Sequence, residues 1–153
     1  MQDDCIAVAL GLPQLQILEQ KELENRFEVA VIYRRSEVSC PRCGKVTSKE
    51  HDRRLQWKQD RRLRDKVVLL RLIKRRFRCV WCGKVFSEPD EVFGTRRRSS
   101  YRFRKYLGQE ALHQTVKRVA QKEQTGEGLV RRCVAEEIGW RLGTKGIAEA
   151  PEF

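Results

Sequence analysis

No stretch of this chain reaches the ~18 consecutive apolar residues that a membrane-crossing helix requires, so a membrane partner is not expected. A positively charged leader is missing too. The sequence starts Met1-Gln2-Asp3-Asp4, acidic where an export signal is basic, so the short apolar run from Cys5 to Leu12 does not read as one. The expected location is therefore the reducing cytoplasm, in association with the nucleoid if the partner is DNA. Apolar material is scarce for a chain of 153 residues: 40% is hydrophobic against 35% charged, which favours two small modules, one of them helical, over a single large core. Internal repeats and low-complexity segments are absent. Acidic residues are the minority charge, 21 against 33 Lys and Arg, giving a net charge of +12.

That charge is unevenly placed. Residues 53 to 105 hold 19 basic and 5 acidic side chains, a local balance of +14 that leaves −2 for the rest of the chain. Like charges at this density repel one another, and a polyanion relieves the repulsion. An anionic membrane surface is the competing partner on charge alone, but the continuous basic amphipathic helix it would need is missing.

Four of the six cysteines fall in two matched runs, Cys40-Pro41-Arg42-Cys43-Gly44 and Cys79-Val80-Trp81-Cys82-Gly83. Each places two thiols on a tight turn, and two such turns complete a tetrahedral zinc shell. The glycine after each second cysteine suits a turn that needs positive φ. A disulfide pair or a redox dithiol is the alternative, and a reducing compartment disfavours the first. Cys5 and Cys133 read as small buried hydrophobes, and His51 as a surface residue beside a shell that four sulfurs already fill. Trp81 and Phe86 are expected to cover the sulfurs. A ribbon this charged is expected to depend on its metal, with chelation unfolding residues 26 to 88.

Phe27, Val29, Val31 and Tyr33 alternate along one side of a strand that leads to the first turn. Gln14 to Lys21 reads as a short helix. The β-branched run from Lys66 to Arg78 predicts a long strand entering the second turn. Pro89 and Gly94 mark a break holding Arg96-Arg97-Arg98. Ser99 or Ser100 then caps a helix carrying Tyr101, Phe103, Tyr106 and Leu107, with Gly108 a weak point in its middle. Thr115 caps another with Val116, Val119 and Ala120 inward. After Gln124-Thr125-Gly126, Leu129, Val130, Cys133, Val134 and Ile138 mark the apolar face of a third helix. The last two read as a helix-turn-helix, or else as two ordinary packed helices.

Several of these runs together resemble the N-terminal region of ISL-three family insertion-sequence transposases, where a zinc ribbon precedes a helix-turn-helix. The resemblance rests on Leu12-Pro13, Cys40-Pro41-x-Cys43, Arg62-Leu63-Arg64-Asp65, Arg75-Arg76-Phe77-x-Cys79-x-x-Cys82-Gly83, Phe86-x-Glu88, Arg96 to Arg98 and Thr115-Val116-x-x-Val119-Ala120, and spans Leu10 to about Ile138. It implies recognition of the terminal inverted repeats of a mobile element during DNA transposition. In that family a nuclease domain follows, with Asp, Asp and Glu holding two metal ions. Only 13 residues follow Trp140 here, so the chain is expected to lack the catalytic domain and to catalyse nothing alone.

The expectation is thus an α+β chain: a lead-in over 1–25, a small β-rich four-cysteine zinc ribbon over 26–92, a helix-turn-helix segment over 93–140 and a disordered tail over 141–153. Zinc sits on Cys40, Cys43, Cys79 and Cys82. Double-stranded DNA at element ends meets Arg131, Arg132 and Lys117 on the helices, with Arg96, Arg97, Arg98, Arg75, Arg76, Arg62 and Arg64 around them. The chain acts as a homodimer or beside a full-length transposase. A standalone transcription regulator and a protein-interaction zinc ribbon are the alternatives.

Overall fold

A computed structural model of the chain describes residues 10 to 143. Cys5, the apolar run up to residue 9 and the tail from residue 144 on lie outside the described residues. Among the described residues seven strands precede the helical layer: β1 (Leu15–Glu22), β2 (Arg26–Tyr33), β3 (Val38–Ser39), β4 (Val46–Thr47), β5 (Glu50–Leu63), β6 (Lys66–Arg78) and β7 (Val85–Ser87). Three helices follow, α1 (Tyr101–Glu110), α2 (Val116–Glu123) and α3 (Glu127–Arg141). The result is a mixed α+β protein.

The main sheet runs β1-β2-β6-β5, with β7 also on β6 and β3 paired to β4 in a separate small ribbon. β1/β2 and β5/β6 are antiparallel hairpins, while β2 and β6 run parallel from Arg26↔Val67 to Val31↔Leu72. One face of this sheet carries the larger apolar cluster: Leu15, Phe27, Val29, Val31 and Tyr33 with Val68, Leu70 and Leu72, closed over by Leu10, Val92 and Phe93. A smaller cluster at the far end of β6 joins Val38, Cys40, Phe77, Cys79 and Phe86. The helices bury a third, Phe103 and Leu107 of α1 against Val119, Ala120, Val130 and Cys133.

Two sequence expectations change here. Residues 15 to 22 form a strand and not a helix, so the lead-in belongs to the sheet and a boundary at residue 25 would cut the β1/β2 hairpin. The register shifts between Ile17 and Glu19, a bulge that leaves Leu18 exposed beside half-buried Ile17. The adjacent apolar pair therefore mimics helical spacing. Gly108 is the second: a Cβ there would lie 2.6 Å from the carbonyl oxygen of Cys133, so the glycine permits the close crossing of α1 and α3.

The helix starts follow the sequence. Ser100 Oγ accepts from the Phe103 N–H at 3.2 Å, and Thr115 Oγ1 from the Arg118 N–H at 3.3 Å. Helix α2 ends at Gln124 in the left-handed region (φ 51), and three residues separate it from α3. Ion pairs on buried carboxylates brace the sheet and join it to the helices. Arg75 meets Glu88 at 2.9 Å within the sheet, and Arg62 reaches from β5 to Glu123 of α2 at 3.0 Å.

Candidate metal centre and basic surface

Both cysteine turns are built by the same backbone pattern. In the first, Cys40 N–H donates to Lys45 O at 2.8 Å and Gly44 N–H to Cys40 O at 2.9 Å; in the second, Cys79 N–H donates to Lys84 O and Gly83 N–H to Cys79 O, each at 2.9 Å. Gly44 and Gly83 share a φ of 75°, the conformation that closes such a turn without a Cβ clash. Thr47 Oγ1 donates to Arg78 O at 2.9 Å and Arg78 N–H to Lys49 O at 2.9 Å, which docks the β3/β4 ribbon onto the end of β6.

The four sulfurs converge. Cys40 and Cys82 stand 3.6 Å apart, Cys43 and Cys79 3.5 Å, and all four lie within 4.8 Å of one another. Zinc–sulfur bonds of about 2.3 Å in a tetrahedron require sulfur–sulfur edges of roughly 3.8 Å, so the cage fits a single ion of that kind. Four soft thiolate donors select zinc or iron over a hard cation. Backbone N–H groups of Cys82 and Trp81 hold the Cys79 thiol down at about 6. For Cys43 the Lys45 N–H pulls downward, but burial and hydrogen bonds to the Cys79, Cys40 and Cys82 sulfurs outweigh it and push the thiol up to about 11. One sulfur thus ionises readily while another resists, and a bound divalent cation favours the thiolate form of its ligands.

Phe86 and Phe77 cover this cage, with ring centroids 6.5 Å apart. Trp81 does not: it is 64% exposed at the tip of the second turn, where the Lys45 ammonium lies 4.3 Å from its ring centroid. His51 is exposed on β5 and outside the sulfur cluster.

The arginines expected to meet DNA separate into two groups. Arg75 is buried, donating to Glu88, Tyr33 O at 3.1 Å and Arg35 O at 2.8 Å, so its guanidinium is spent inside the fold. Arg62 is engaged by Glu123, and Arg76 by Asp52 through its Nε at 2.7 Å. Arg64 is exposed at the β5/β6 turn with φ 49. Lys117, Arg131 and Arg132 are exposed on α2 and α3, with Arg131 paired to Glu127 at 3.1 Å. Arg96, Arg97 and Arg98 are exposed and, among the described residues, form no ion pair. Much of the basic run from 53 to 105 is therefore matched internally by carboxylates, and the arginine triplet is not.

The triplet is held firmly. Gln59 N–H donates to Arg98 O at 2.8 Å and Ser100 N–H to Gln59 O at 3.0 Å, so the loop pairs briefly with β5 along its outer edge. The buried Lys58 ammonium donates to Arg97 O. Burial pushes that ammonium's pKa down; Asp90 opposes this, and Lys74, Arg104 and Arg98 push it further down. Arg104 is also buried, donating to Phe93 O at 2.7 Å and to Ser99. Asp60 accepts from Ser100 Oγ at 2.6 Å and from Arg102 Nε at 2.9 Å, fixing the start of α1. Nothing in the sequence marks Lys58 and Asp60 for this part, since two charges on one face of a strand otherwise full of charges give no signal.

The fold and the cage define a class: an α+β protein with a mixed sheet, a four-thiol site able to hold one metal ion, and a helical layer joined to the sheet by ion pairs. No protein-family model, no curated protein and no solved structure matches the chain at a significant level. Among the described residues no helix is long and apolar enough to cross a membrane.

Proposed function

We propose that this chain is a zinc-containing double-stranded-DNA-binding protein, the end-recognising part of an insertion-sequence transposase of the ISL-three type. Arg96, Arg97 and Arg98 carry the DNA-binding part of this reading: three adjacent guanidiniums without carboxylate partners on a backbone anchored to a strand edge. Phosphates supply the counter-charge that the chain does not. The resemblance in sequence supports the choice of transposase over other DNA-binding proteins. In this reading Cys40, Cys43, Cys79 and Cys82 hold zinc, which joins the two turns and fills its shell with sulfur, leaving no open position for a reacting water. Helices α2 and α3 act as a helix-turn-helix whose Arg131 and Arg132 reach base edges, while Lys117 and Arg64 contact the backbone. The chain performs no phosphoryl transfer itself and works at the nucleoid with DNA ends as partner.

Titration of a fluorescent duplex carrying element-end sequence, and of its scrambled counterpart, tests this at several salt concentrations between roughly 50 and 200 mM. Replacing Arg96, Arg97 and Arg98 with Ala weakens binding to both duplexes and flattens the log–log salt slope by up to ~0.9 per lost phosphate contact. Arg132→Ala costs about 1 to 3 kcal/mol on the preferred duplex and little on the scrambled one. Equal losses on both duplexes for every variant would remove the base-reading role from α3, and salt-insensitive binding would remove DNA as the partner.

A further inference from the structure

We propose that the cleft along the outer edge of β5 receives an unpaired nucleotide, its base against Trp57 and its phosphates on Arg96, Arg97 and Arg98. The cleft has a volume of about 490 Å³ and is lined by Gln56, Trp57, Lys58 and the three arginines. This inference rests on the nucleic-acid reading above and goes beyond it, since a closed duplex has no base to offer such a cleft.

Trp57 is 48% exposed in the middle of a strand, a large apolar side chain that the sheet leaves half in water. Its cross-strand partner is Arg71, whose Nη2 is engaged by Glu19 at 3.0 Å, so no apolar neighbour is positioned opposite to shield the ring. Successive residues of a strand point to opposite faces, so Trp57 and Lys58 flank the strand edge from its two sides. The loop carrying the guanidiniums cannot retreat. Its backbone is hydrogen-bonded to Gln59 at Arg98 and Ser100, Lys58 grips the Arg97 carbonyl, and Arg96 sits at φ 60, a left-handed conformation that an arginine keeps only when its surroundings impose it. An indole beside several guanidiniums on an anchored backbone matches how single-stranded nucleic acid is held: a ring stacks on the base without reading it, and cations track the backbone. A nucleotide is small enough for the cleft, and the ends or distorted joints of a DNA duplex supply unpaired ones.

The test uses the zinc-loaded full chain and two fluorescent probes, a blunt duplex and the same duplex with a short single-stranded thymidine tail. Wild-type protein binds the tailed probe more tightly. Trp57→Ala loses roughly 5- to 150-fold on the tailed probe, the range that stacking of one base supplies, and leaves the blunt probe unchanged. Trp57→Phe keeps a ring and most of the preference, and it decides the matter if the alanine variant folds poorly. Equal affinity of the wild type for both probes, or equal losses by Trp57→Ala on both, overturns the proposal while leaving duplex binding in place. Binding to neither probe at low salt overturns both readings together.

Discussion

Single side chains decide which of the many charges are structural. Glu88 is fully enclosed and receives both the Arg75 N–H at 3.0 Å and its guanidinium at 2.9 Å. Removing the carboxylate strands a buried cation, so Glu88→Ala is expected to cost about 3 to 5 kcal/mol in urea unfolding, and an unchanged midpoint would show the pair to be solvated. The same principle explains why the sequence misplaced Arg75: a run of Lys74-Arg75-Arg76 looks uniformly exposed until the pleat turns the middle residue inward. At the sulfurs Cys79 and Cys43 shift in opposite directions, and Cys79 is the one whose shift bears on the acid side. Its thiol is held at about 6 in the fold against about 8.5 when free, so the stabilisation of its thiolate is present above the free value and lost as pH falls through 6. Protons compete with a metal for the four sulfurs, so acidification is expected to release a bound metal, read by a zinc-sensitive dye. Cys79→Ser binds none at any pH, whereas Cys133→Ala keeps a full complement, because Cys133 lies in the helical core where burial raises its thiol to about 11.

Secondary-structure elements were legible where pattern and burial coincide. β2 and β6 alternate or run apolar because both pack into the main cluster, and α1 and α2 start where Ser100 and Thr115 can cap them. β5 gave no such sign. Its inward positions are Lys58 and Asp60, held by hydrogen bonds in place of apolar contact, and its hairpin turn uses Arg64 and Asp65 at φ 49 and 63 where a glycine is the usual marker. β1 was disguised by its bulge. The cysteine cage, by contrast, was complete in the sequence, since metal ligation fixes both spacing and residue type. Between elements, α1 crosses α3 closely at Gly108. A methyl group 2.6 Å from the Cys133 carbonyl oxygen must push backbone from backbone, so Gly108→Ala is expected to destabilise by about 1 to 3 kcal/mol despite the better helix propensity of alanine. A gain in melting temperature would mean that the helices do not cross this tightly.

At the scale of the molecule the metal site is peripheral, and this changes what metal removal should do. The sequence suggested that a core this charged could not hold without zinc, so that residues 26 to 88 would unfold together. The structure instead separates a large apolar cluster on the β1-β2-β6 face from a small one around the sulfurs, Val38, Cys40, Phe77, Cys79 and Phe86. The first contains Phe27, Val29, Val31, Leu70 and Leu72, all nearly inaccessible to water, and none of its members is a ligand. Burial of that size sustains a sheet by itself, whereas β3 and β4 are two residues each and are held to β6 by the hydrogen bonds at Thr47 and Lys49 and by the small cluster around the sulfurs. Chelation under reducing conditions is therefore expected to expose the amides of residues 38 to 50 and 79 to 87 to hydrogen exchange while those of β2 and the first half of β6 keep their protection. Simultaneous loss of protection across both clusters would show that the two fold as one unit, with the metal holding the whole sheet.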